Sequence, residues 1–284
     1  MLLSSNVVET VAAWASGTTY ALDAKARTGG RIYQSLAAGN VGFPPAANPL
    51  KWADIGPDNT NAAFDGQVST AATGTNNLTY VLATGIIDAL ALVNISASTI
   101  TVTVRDGAGG PVIFSQTVGM DGSTVLDWYQ YFFYDPLVVR TQVVFTDIAP
   151  FGSSNVTIEI KGSGTVSVGP IAFGRANDIG EAGIGARAGI TDYSKKNTDD
   201  FGVTTFVKRA FSKTLSVAVL VDKVQVNRVH RLLSSLRATP CIWIGSDDPD
   251  YDEPLVVFGF YRDFNVEIAY PTKSLCSLEI EGLA

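Results

Sequence analysis

Strict alternation of apolar and polar residues limits this chain more than any other feature. In "STITVTV" Ile100, Val102 and Val104 fall on one face of an extended strand, and in "NVTIEIKG" Val156, Ile158 and Ile160 do the same. "TLSVAVLVD" repeats the pattern through Leu215, Val217, Val219 and Val221. A period of two makes one face apolar, so each segment needs a second layer to cover it. Turn signals such as "RDGAGGP" and "GMDGS" separate the central segments and predict an antiparallel sandwich or jelly roll. One stretch changes period. In "DKVQVNRVHRLLSSLRA" Val226, Val229, Leu232, Leu233 and Leu236 recur at three and four, which predicts a helix with one apolar stripe. Asp222 with Gln225 three residues on predicts its start cap, and Pro240 its stop. Strands are expected again at "CIWIG", "LVVFGFY", "FNVEIAY" and "SLEIEG".

The fold class that follows is mainly β: a small N-terminal β module, an antiparallel β-sandwich or jelly roll, and a C-terminal α+β bent sheet or split barrel with one helix. Composition places the boundaries. Residues 1–57 are punctuated by aromatics and end Pro-rich ("FPPAANPLKWADIGPDN"), 58–175 read as strands, and 176–284 hold the helix. The Gly-rich "GRANDIGEAGIGARAG" is expected to be a flexible connector. With 46% apolar and 17% charged residues in 284, there is material for two or three cores. A net charge of −7 argues against nucleic acid as a partner. No apolar run reaches the roughly 20 residues a bilayer span needs, and the start lacks the basic residues of an export signal, so no membrane insertion and synthesis in a cytoplasm are expected. Cys241 and Cys276 are too few for a disulfide framework and are expected to be reduced.

Chemistry-bearing patterns are sparse. His230 is the single histidine and lies beside the apolar stripe of the helix, where a partly covered helix residue is expected rather than a catalytic base. Two cysteines and one histidine make a poor zinc set. "GEAGIGARAG" lacks the Lys-Ser/Thr ending of a phosphate loop. Asp248, Asp250 and Asp252 have alternate spacing suited to calcium, but Glu253 stands where the loop needs glycine, so a solvated hairpin loop is expected. Glu159, Glu267, Glu279 and Glu281 are strand carboxylates with no spacing that singles out a glycosidase pair. The expectation is a non-enzyme with no metal and no cofactor.

The aromatics say more. Trp14, Tyr20, Tyr33 and Trp52, in "WASGTTY", "GGRIYQS" and "PLKWADIG", resemble the framework of small chitin-binding-type carbohydrate modules over about 45 residues. That resemblance implies a three-stranded fold and a glycan surface. Yet the adjacent aromatics that such modules present after the second Tyr are replaced here by Leu36, Ala37 and Ala38. The four aromatics are therefore read as a mini-core first and as glycan contacts second. In "DWYQYFFYDP" a strand would put Trp128, Phe132 and Tyr134 on one face and Tyr129, Tyr131 and Phe133 on the other, the latter expected at a domain or subunit interface.

From residue 165 onward the ordered series "SVGPIAFGRANDIG", "ITDYSKK", "VHRLLSSLRATPCIWIGSDD" and "LVVFGFYRDFNVEIAYPTKSLCSLEIEGL" resembles the bent-sheet domain of bacteriophage tail-tube, distal-tail and minor tail proteins. The central region is similar to galactose-binding-like jelly rolls of tail-associated proteins. The resemblance implies a virion tail location near tip, collar or baseplate, and assembly with copies of itself and with other tail or fibre proteins. A host-surface glycan is the alternative partner. Lys195, Lys196, Asp199, Asp200, Lys208, Arg209 and Lys213 then mark an interface in which mixed charges discourage random edge pairing but admit one complementary neighbour.

Overall fold

The computed structural model describes residues 1–121, 128, 132, 139–183, 185–246, 251–268 and 270–284. Its architecture is mainly β, with antiparallel sheets throughout and one sheet curled into a half-barrel.

The N-terminal module is a three-stranded sheet of β2 (Lys25–Thr28), β3 (Arg31–Ser35) and β4 (Trp52–Pro57). The first strand, β1 (Leu2–Ser5), does not join it. It pairs instead with β5 (Ala72–Ala83), at the edge of the neighbouring sandwich. A second tie between module and sandwich is Glu9, whose carboxylate accepts from the backbone N–H of Asn59 and Thr60 and from the Thr60 hydroxyl.

The sandwich stacks a five-stranded sheet on a three-stranded one. The larger has the order β1-β5-β10-β7-β8, with β7 (Thr99–Asp106), β8 (Val112–Gly119) and β10 (Ser154–Val168). The smaller has the order β11-β6-β9, with β6 (Ala89–Val93), β9 (Gln142–Phe145) and β11 (Ile171–Gly174). Alternation dictates the register: Val156, Ile158 and Ile160 lie opposite Val104, Val102 and Ile100, and all six are fully buried. Leu90, Leu92, Val143 and Phe145 from the facing sheet close this core.

The C-terminal sheet runs β12-β16-β19-β18-β17, with β13 also paired to β16. Its strands are β12 (Glu181–Ala182), β13 (Arg187–Asp192), β16 (Phe211–Asp222), β17 (Cys241–Ile244), β18 (Val256–Glu267) and β19 (Lys273–Gly282). Helix α1 (Val226–Ser235) buries Val229 and Leu233 against Leu215, Val217, Val219, Val221, Leu278 and Ile280. A one-turn helix, α2 (Asp252–Leu255), leads into β18.

Four expectations are corrected. Asp222 does not cap α1: it is the last residue of β16, paired with Lys273, and the helix begins after Gln225 with no side-chain cap. "LVVFGFY" and "FNVEIAY" form one strand, β18, because a bulge between Tyr261 and Asp263 absorbs the break in alternation. The Gly-rich connector is in part sheet, since Glu181 and Ala182 pair with Leu220 and Val219, and Arg187–Asp192, which begins inside it, pairs with Ser216–Phe211. Gly180 belongs there for a steric reason: at φ +143° a Cβ would lie 2.5 Å from the Leu220 carbonyl oxygen. Finally, Trp128 and Phe132 have helical rather than extended backbone, and their rings stack at 6.2 Å, as a four-residue helical spacing allows.

Candidate interaction surface

Between β13 and β16 the chain leaves the half-barrel as a separate hairpin, β14 (Lys195–Thr198) and β15 (Thr204–Val207), paired only with each other. All eight strand residues are exposed. Local chemistry explains how so bare an element holds its shape. At the tip, Asp199 Oδ1 accepts from the N–H groups of Phe201 and Val203, and Gly202 takes φ +83° to close the turn. At the base, Ser194 Oγ accepts from the Arg209 N–H, and the Tyr193 and Ser212 hydroxyls lie 3.2 Å apart. Asp192 accepts from the Ser194 N–H, and its carboxyl is held below the usual range by Ser194, with Lys208 adding to the effect.

The surface of this arm is apolar where a soluble hairpin is normally polar. Phe201 at the tip is 93% exposed and Phe206 76%, with Val203 and Val207 beside them. Lys195, Lys196, Lys208 and Arg209 surround the base, and Asp200 lies at the tip, all exposed. The structure therefore brings six of the predicted interface charges together on one exposed element, whereas Lys213 lies on β16 and pairs with Glu253 inside the same chain. Of the six, Asp199 alone has a local task, holding the turn.

At the far end of the same sheet stands β17. It pairs with β18 only, and among the described residues no strand lies on its outer side. Its four residues carry no charge, and Ile244 is 40% exposed. Trp243 fixes it from within, buried and donating from Nε1 to the Gly259 carbonyl at 3.1 Å.

A polar clamp holds the half-barrel against the sandwich, and its members carry no sequence signal apart from Gln142 opening the otherwise apolar "QVVF". Lys213 Nζ donates to the Glu253 carboxylate at 2.9 Å, to the Glu253 carbonyl at 2.7 Å and to Gln142 Oε1 at 3.3 Å. Thr141 Oγ1 donates to the same carboxylate at 2.8 Å, and buried Gln142 donates to the Val256 carbonyl. Burial pushes the Glu253 carboxyl up, but the Lys213 ammonium and Thr141 outweigh it and hold it below its ordinary value of 4.5. Glu253, at the end of the acidic stretch, thus makes an inter-domain contact while remaining half exposed to solvent. Asp248 and Asp250 lie outside the described residues.

The first module uses its aromatics internally. Tyr20 and Trp52 are buried edge to face, 5.0 Å apart, and Trp14 and Tyr33 pack against them. Trp52 Nε1 donates to the Phe43 carbonyl, and the Tyr20 hydroxyl accepts from the Ala15 N–H. Tyr20 and Trp52 therefore offer no face to a sugar, while Trp14 and Tyr33 stay half-buried. Tyr129, Tyr131 and Phe133 lie outside the described residues. His230 is exposed on α1, its ring 6.4 Å from that of Phe264. Among the described residues no helix is long and apolar enough to cross a membrane. Comparison with protein-family models and with curated proteins finds no match.

Proposed function

We propose that this chain is a non-enzymatic structural component of a bacteriophage tail, in the tip, collar or baseplate region, that joins copies of itself around the tail axis and docks other tail or fibre proteins. The observation that carries this reading is the β14–β15 arm, an exposed two-stranded ribbon tipped with Phe201 and flanked by cations. A lone hairpin of this length is marginal in water, and two exposed phenylalanines add apolar surface that a solitary protein gains nothing by keeping wet. Support comes also from the order of elements after Gly174: two strands, arm, strand, helix and three strands around one half-barrel, in the sequence series that resembles tail proteins. The galactose-binding-like reading of the central sandwich belongs to the same proposal.

The test is the composition of purified virions. The polypeptide is expected in tail preparations at a fixed ratio to other tail proteins, and its absence from particles would reject the reading. Host-glycan attachment through the first module is the lesser reading, because Tyr20 and Trp52 are committed to its core. A glycan array probed with the full chain separates the two.

A further inference from the structure

We infer that the β14–β15 arm of one copy lies along the outer side of β17 in a second copy, where no described strand of that copy pairs. This rests on the assembly reading above and specifies which surfaces meet.

Among the described residues the ribbon that leaves between β13 and β16 has two unpaired outer edges, and the half-barrel stops on one side at β17, an uncharged strand with an exposed Ile244. Natural edges are usually guarded by charge, proline or a bulge, and "CIWI" has none of these inside it. Because the two surfaces differ, a copy using both makes a head-to-tail contact, which repeats from subunit to subunit.

Charge selects the partner. Residues 195–209 hold four cations and two carboxylates, a net +2, so in a chain of net −7 everything else carries −9. To this arm a second copy is an acidic body.

The experiment places the photo-reactive residue p-benzoylphenylalanine at position 206 of the full chain, mixes it with isotope-labelled unmodified chain, and maps the cross-links by mass spectrometry. Cross-links from position 206 of one copy to residues 239–246 of the other are expected. They should fall at least tenfold when the receiving copy carries Ile244→Lys or the probe-bearing copy carries Lys195→Glu with Lys196→Glu, and circular dichroism confirms that each variant is folded. Cross-links between copies that map elsewhere, or none between copies at any concentration, overturn this docking. In either case the tail assignment stands or falls separately on virion composition.

Discussion

Glu253 is where a single side chain decides how two domains are held. Its carboxylate faces Lys213 from β16 and Thr141 from the start of β9, and its folded proton affinity lies below the ordinary 4.5. A depressed carboxyl stabilises the fold above its unfolded value, and that contribution disappears as pH falls through the lower folded value. Acid should therefore loosen the clamp below about pH 4.5 and leave it unchanged at neutrality. Denaturant midpoints measured from pH 7 to pH 3 should show a shallower acid-side decline in Glu253→Gln than in the parent. Glu9, also held low by Thr60 and Asn59 against the opposing effect of burial, supplies part of the decline that remains, together with Asp54 beside Arg31. Lys213→Met removes the donor that Glu253 and Gln142 share; because the Glu253 side chain is half exposed and keeps Thr141, the loss should stay at about 1 kcal/mol by urea unfolding.

At the scale of elements, the arm and the strands behind it should respond in opposite ways. Phe206→Ser alters a ring that is 76% exposed, so the unfolding free energy should move by no more than about 0.5 kcal/mol while self-association weakens. Gly180→Ala does the reverse: its Cβ meets the Leu220 carbonyl at positive φ, and a loss of about 1–3 kcal/mol should appear in thermal unfolding. This contrast also explains what the sequence made legible. Strands such as β7, β10 and β16 could be read because one face is buried along their length, so burial imposes the period of two directly. The arm left only its charges, for no face of it is covered and alternation has nothing to enforce it. β12 and β13 were hidden for a related reason: they are exposed edge strands whose glycines serve close approach to β16 and imitate a linker. Lys213 and Glu253, 40 positions apart, could not have been paired without the fold. The module aromatics were legible as a core because a unit this small closes around a few large rings set between turns, and Tyr20 and Trp52 are the ones it buries.

For the molecule as a whole, the governing quantity is the imbalance between a small basic arm and a large acidic body. Two copies carrying −7 each repel at long range, and association requires the +2 arm to reach the neighbour before that repulsion dominates. Opposing salt dependences follow. Screening lengths of about 30 Å at 0.01 M salt and about 10 Å at 0.1 M mean that dilute salt leaves the body–body repulsion intact, whereas moderate salt removes it and keeps contacts made at hydrogen-bond distance. Self-association followed by sedimentation should thus strengthen from 0.01 M to about 0.1 M salt, then weaken toward 1 M, where the Debye length of about 3 Å also screens the arm's own ion pairs. Lys195→Glu with Lys196→Glu turns the arm from +2 to −2, which should lower association at every salt concentration and remove the decline at high salt. An association that rises steadily to 1 M in the unmodified chain would instead mark a contact made by apolar burial alone, with Phe201 and Phe206 rather than the lysines setting its strength.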